Sequence, residues 1–243
     1  MTIHHTTCAL ICCRGGSVGI PRKNIKVFSG KPLLGWILEA AEHAAVFDDV
    51  ILSTDDEEIA SVGRQFGAKV PFLRPEKLAQ DDSDQFEAHR HAFEILGISD
   101  ETHRICNLAN NPFINSELIQ QGYTLAVENE FSRIVLDAIQ VDSDFAYFRQ
   151  CFNDDGILRL NFAQAFKDSS INRQAIAPLF TTINNMRWAK PSILSNFKVY
   201  KAEIIRNGID PVWLPKTRKF DLDDSEDWLI AETVFKQLDY ANL

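Results

Sequence analysis

Between residues 8 and 129, short apolar runs alternate with longer amphipathic segments, and this rhythm limits the architectures open to the chain. "CALICC" (8–13) is a near-continuous apolar run, as expected of a parallel strand covered on both faces. "PLLGWILEAAEHAAVF" (32–47) carries a broad helical apolar face, and "DVILS" (49–53) reads as the next strand. In "TDDEEIASVGRQFG" (54–67), Thr54 and Glu57 suggest a capping box, acids fill the first turn, and Gly67 suits the C-terminal stop. A strand at 68–73, a helix at 83–97, a strand at 104–109 and a helix at 115–129 continue the series. Strand and helix in alternation predict an α/β fold, with a doubly wound, mostly parallel sheet of right-handed crossovers.

After residue 132 the rhythm weakens. "SRIVLDAIQV" is strand-like, while 141–180 is rich in Phe, Asn and Asp without a clean period. The whole chain, 1–243, reads as one domain with a small lobe or arm inserted at 141–180. Phe145, Tyr147, Phe148, Phe152, Phe162 and Phe166 are more aromatic surface than such a lobe can hide, so a homodimer through it is expected. "SEDWLIAETVFKQL" (225–238) is a closing helix.

Net charge −9 and the absence of a basic block argue against nucleic-acid binding. No apolar stretch approaches ~20 residues, so no membrane span is expected. The N-terminus lacks the basic region of a signal peptide, and five cysteines read as reduced thiols of a cytoplasmic protein. Cys12 and Cys13 are adjacent on a strand and face opposite ways, a poor start for a metal site.

The loop after the first strand, "RGGSVGIPRKN" (14–24), sits where ligands bind in open α/β sheets. Glycines 15, 16 and 19 allow backbone N–H groups to converge on an anion, and Arg14, Arg22 and Lys23 add charge suited to phosphate. It matches neither phosphate-loop pattern, G-x-x-x-x-G-K-S/T or G-x-G-x-x-G. The alternative is a glycine-rich connection with solvated cations.

"RGGSVGIPRKNIKVFSGKPLLGW" (14–36) resembles the opening of the acylneuraminate cytidylyltransferases, the CMP-sugar synthetases of acidic sugars. "VFDDVILSTDDEEIASVGRQFGAKVPFLRPEKLAQDD" (46–82) and "FDLDDSEDWLIAE" (220–232) continue the likeness; the middle of the chain resembles the family weakly. The resemblance implies a Rossmann-type nucleotide-diphospho-sugar transferase fold, and transfer of CMP from CTP to the anomeric hydroxyl of a nine-carbon keto-acid sugar, with release of pyrophosphate. It implies Arg14, Lys23 and Arg173 as catalytic cations. Arg14, Gly15, Gly16, Ser17, Asn24, Arg74 and Ser83 would meet the nucleotide. Asn110, Asn111, Arg173 and Asn184 (or its neighbour Asn185) would meet the sugar, and Asp221 and Asp223 a Mg²⁺ ion.

The two aspartates also make sense by themselves. Two residues apart on an extended segment, they face one way, and Mg²⁺ prefers one or two carboxylates beside phosphate oxygens. The alternative is that Asp224 and Ser225 start the last helix and Asp221 is solvated. The acids of "STDDEE" are sufficiently explained by a helix first turn.

Three departures from the family pattern stand out. Val18 replaces a customary lysine, with Arg22 as a nearby substitute. "NLANNPFI" (107–114) differs from the family segment there and is closer to its pseudaminic acid branch at Pro112 and Phe113. Ala175 replaces an acid. Two other readings follow: a nucleotidyltransferase for another acid sugar such as Kdo, or a non-catalytic nucleotide- or sugar-binding homologue.

Overall fold

The computed structural model describes residues 5–141, 151–154, 157–160 and 179–238, with the backbone alone at 151–154, 157–160 and 179. Strands β1 (Thr6–Cys12), β4 (Asp49–Ser53) and β5 (His103–Leu108) form a parallel set, separated in sequence by helices α1 (Leu33–Ala44), α2 (Glu57–Gln65) and α3 (Gln85–Leu96). Between β1 and α1 lies a short hairpin, β2 (Val27–Phe28) and β3 (Lys31–Pro32). After α4 (Ser116–Glu128) come β6 (Ile134–Val141), a second hairpin of β7 (Cys151–Asp154) and β8 (Ile157–Leu160), and β9 (Leu179–Ala189). Helices α5 (Pro191–Leu194) and α6 (Phe197–Asn207), strand β10 (Ile209–Trp213) and helix α7 (Ser225–Gln237) complete the chain.

The six-stranded sheet runs β10-β6-β9-β5-β1-β4. It is α/β and mostly parallel, but β9 enters antiparallel between β5 and β6. The expected parallel series therefore holds on both sides of β9 and is interrupted by it. Residues 68–73, read as a strand, make only two bridges, Ile51 with Lys69 and Thr54 with Leu73. Pro71 lacks the N–H a longer ladder needs. The cap of α2 is Asp56, which accepts from the Ile59 N–H, rather than Thr54. Thr54 instead accepts from the Asp56 N–H and is fully buried.

Both faces of the sheet are covered. One core contains Ile11, Leu34, Ile37, Leu52, Ile119 and Trp188. The other contains Leu10, Phe86, Phe93, Ile105, Leu136 and Leu194. A third, smaller cluster joins Ile20 of the first loop, Phe28 of β2 and Leu222, Trp228 and Phe235 near the C-terminus. Burying Leu222 alone is worth about 1.5–3 kcal/mol. That exceeds the ~0.2–1 kcal/mol of an exposed ion pair, so packing fixes the 220s segment against the loop.

Cys8, Cys12, Cys13 and Cys106 are free thiols, and burial pushes Cys8 and Cys13 up to about 12. Among the described residues no cluster of three metal-ligating side chains forms, and no helix is long and apolar enough to cross a membrane. The expected lobe at 141–180, with its aromatic side chains, lies mostly outside the described residues, as does Arg173.

Candidate active site

A cleft of about 500 Å³ opens beyond the carboxyl ends of β1 and β5, as expected of an open α/β sheet. Its described walls come from the first loop, residues 74–88, residues 109–111, Asn185 and residues 221–223. Of the expected site residues, Arg14, Ser17, Lys23, Asn24, Arg74, Ser83, Asn110, Asn111, Asp221 and Asp223 line it.

The first loop is shaped by the acids that precede α2. The Gly15 N–H donates to Asp55 at 3.1 Å, so this group serves the loop rather than a free nest. A Cβ on Gly15 would lie 2.8 Å from an Asp56 carboxylate oxygen, which explains the glycine. Arg22, at φ 56°, donates to both oxygens of Asp56 and to Glu58, and these partners hold its guanidinium above its usual range and the Asp56 carboxyl below its own. Arg22 is thus a structural cation outside the cleft lining, and it does not replace the lysine missing at Val18. The "STDDEE" acids do more than serve a helix dipole: they anchor the loop. Val18 is 72% exposed on the cleft wall.

Other contacts tie the loop to the cleft's far walls. Asn24 is buried, donates to the Arg14 carbonyl at 2.8 Å and accepts from Asn110 at 2.9 Å. The Lys23 ammonium donates to the Leu222 carbonyl at 2.8 Å. Gly19 packs so closely on the 220s segment that a Cβ would sit 1.8 Å from the Asp223 carbonyl oxygen. Gly16 has open space around it.

The cleft's cations differ in state. Arg14 pairs with Asp81 at 2.6 Å, a carboxylate 67% exposed at the side chain. Arg74 is buried, lies 3.7 Å from Asp55, and its Nε–H has no partner among the described residues. A buried, incompletely satisfied guanidinium on a cleft wall suits an anionic or carbonyl ligand. Ser83 accepts from the Gln80 N–H at 3.0 Å and closes a tight turn on the same wall.

The asparagines divide between scaffold and surface. Asn111 is buried and donates to the Phe220 carbonyl at 2.7 Å and to Asn185 Oδ1 at 3.2 Å. Asn185, not Asn184, faces the cleft. Asn184 has φ 64° and accepts from Tyr200 at 3.4 Å, away from the lining. Sequence reasoning missed Gln85, which lines the cleft with its amide held by Arg187 at 3.1 Å and Asn107 at 3.4 Å. Its position in a helix first turn gave no signal. It missed Asp81 too, one acid among several in a polar stretch.

Asp221 and Asp223 flank the buried Leu222 and both line the cleft, the arrangement expected from their spacing. Asp224 caps α7 with a capping box to Asp227, so helix start and candidate metal ligands share one segment without sharing residues. Two carboxylates beside a cationic loop are a donor set that fits Mg²⁺ with phosphate oxygens completing its shell.

The profile of the cytidylyltransferase family matches residues 8–170. The pseudaminic acid cytidylyltransferase of Campylobacter jejuni is 40% identical over 123 residues, covering 50% of this chain and 53% of that protein. N-acylneuraminate cytidylyltransferase A of Danio rerio is 39% identical over 127 residues, 52% of this chain and 29% of that protein. The CMP-N,N'-diacetyllegionaminic acid synthase of Legionella pneumophila is 43% identical over 76 residues, 31% of this chain and 33% of that protein. The chain thus spans about half the length, or less, of these curated relatives. Among solved structures, a CMP:2-keto-3-deoxy-manno-octonic acid synthetase complexed with CTP superposes with TM-score 0.69 at 14% identity, over 96% of this chain and 99% of that one. A 4-diphosphocytidyl-2C-methyl-D-erythritol synthase from Anaerococcus prevotii superposes at 0.61 and 14% identity, over 96% of both chains. At these identities the likeness concerns the fold.

Proposed function

The chain belongs to the cytidylyltransferase family, and from that premise we propose that it transfers CMP from CTP to the anomeric hydroxyl of a nine-carbon acidic sugar. The hydroxyl oxygen gives up its proton to solvent and bonds to the α-phosphorus, the bond from that phosphorus to the β-phosphate bridge breaks, and pyrophosphate leaves. The observation that carries this reading is one cleft lined by Arg14, Lys23, Arg74, Asp221 and Asp223. The relatives named for pseudaminic, N-acylneuraminic and legionaminic acids support the sugar class over Kdo, whose synthetase is similar in fold alone.

Asp221 and Asp223 would hold Mg²⁺, which supplies charge stabilisation for the departing pyrophosphate. Arg14 and Lys23 bind phosphate oxygens and Arg74 the nucleotide. Asn110, Asn111 and Asn185 form the wall for the sugar. The free thiols support a reducing, cytoplasmic setting. Phe180 and Trp213, in contact with ring centroids 4.9 Å apart at a 56° tilt and each about half exposed, support a second copy as partner at the β9–β10 side.

A second reading, a nucleotide-binding homologue without turnover, draws on Val18 and on Arg22 being engaged elsewhere. Val18→Lys decides between the two. In a working enzyme the lysine tightens CTP binding or leaves turnover unharmed. Turnover that exists only in Val18→Lys would establish the binding-only reading for the natural sequence.

A further inference from the structure

Aspartate in the middle of "IVLDAIQV" is out of place by composition. Asp137 is fully buried, in a strand paired on both sides. A buried carboxylate is costly unless the backbone satisfies it. Asp137 Oδ1 accepts from the Met186 N–H at 3.0 Å, and Oδ2 is buried without a partner among the described residues. This donor lies in β9 where its ladder with β6 slips register, between Leu136 and Ala138, and close to Asn184, which takes a left-handed φ of 64°. Asparagine is among the few non-glycine residues that take this conformation readily, so it suits an irregular turn in a strand.

The slip has a consequence at the cleft. Just beyond the left-handed turn, Asn185 accepts from the Ala109 N–H through its carbonyl at 2.7 Å and from Asn111 through Oδ1 at 3.2 Å. Its Nδ2 is buried on the cleft wall and has no partner among the described residues. An amide whose oxygen is already taken presents only N–H donors to a ligand.

We infer that Asp137 is a positioning residue: it clamps the irregular turn of β9 and thereby delivers the Asn185 amide, donor side first, to an acceptor oxygen of the acid sugar. This rests on the function proposed above. The clamp acts from behind the sheet and touches no substrate. A carboxylate suits it because it accepts from the Met186 backbone N–H beside the irregular turn, which a hydrophobic side chain cannot. Burial pushes the Asp137 carboxyl up to about 6, the electrostatic cost of keeping such a clamp in a core.

The test is a double-mutant cycle, read with CTP and pseudaminic, legionaminic and N-acetylneuraminic acids in turn. Asn185→Ala should raise KM for the acid about tenfold, the loss of one hydrogen bond, with CTP affinity by calorimetry unchanged. Asp137→Leu fills the core volume but removes the acceptor, and should act similarly. Asp137→Ser serves if the leucine variant does not fold. Combined with Asn185→Ala, neither should add a further loss, because both act through one amide. Asp137→Asn keeps one acceptor oxygen and should restore near-normal KM. Hydrogen exchange provides a readout without substrate: the Ala109 amide, just after β5, should lose protection in Asp137→Leu, selectively over the amides of β5 itself. Multiplying effects in the cycle, or unchanged Ala109 protection, would overturn the inference. A wild-type chain inert on all three acids would instead overturn the proposed function, and the exchange measurement would still decide the clamp.

Discussion

At the scale of single residues, the cleft holds a competition. A nucleotide that recruits Arg14 must displace Asp81 from it. Arg14→Ala should weaken CTP binding by about 1.5–3 kcal/mol, the range for a charged hydrogen bond. Asp81→Asn should do the reverse, tightening CTP by about 0.2–1 kcal/mol, since an exposed pair is weak. Calorimetry on both variants checks this; equal affinity in Arg14→Ala would remove the phosphate-loop assignment. Asp137 supplies a pH prediction. Its folded pKa is raised to about 6 from 3.8, so its stabilising contribution is complete below the unfolded value and is lost as pH rises through about 6. Asp137→Asn should therefore gain melting temperature over the wild type progressively between about pH 4 and pH 6 and keep a level advantage above that, whereas a constant difference throughout would contradict a buried titrating carboxylate. At this scale the sequence revealed which residue types gather, through the loop and the spacing of Asp221 and Asp223. It did not reveal their commitments. Arg14 and Arg22 look alike in "RGGSVGIPR", and only the fold sends Arg22 to Asp56 and leaves Arg14 on the cleft.

At the scale of elements, the loop after β1, the acidic start of α2 and the 220s segment behave as one unit. Gly19 against the Asp223 carbonyl is its tightest point. Gly19→Ala should push the loop from the carboxylates, with a loss of CTP affinity in the presence of Mg²⁺ far larger than any loss of melting temperature. An alanine variant that binds CTP normally would show that the approach is dispensable. The helices and strands with clear periodicity, α1, β4, α3, β5, α4 and α7, were legible because each buries one contiguous stripe or run. β9 was not. Its residues "LFTTINNMRWA" carry neither strict alternation nor a continuous apolar run, because the strand changes partners' register midway at Asn184 and Asn185. The irregularity that hid the strand from a period search is the same one that turns Asn185 to the cleft.

At the scale of the molecule, the sheet brings together groups from residues 14 to 223, and the chemistry depends on that convergence. The sequence motifs stood far apart, so their order and type were visible but their shared cleft was not. In the proposed function this cleft transfers CMP, with two of its acids serving a divalent cation. The most direct measurement incubates the wild-type chain with CTP, Mg²⁺ and each of pseudaminic, legionaminic and N-acetylneuraminic acids, following pyrophosphate release and the mass of the sugar product. A CMP-linked sugar should form from at least one acid, abolished by EDTA and restored by Mg²⁺. CTP that binds by calorimetry yet yields no pyrophosphate with any of the three acids would contradict the proposed function.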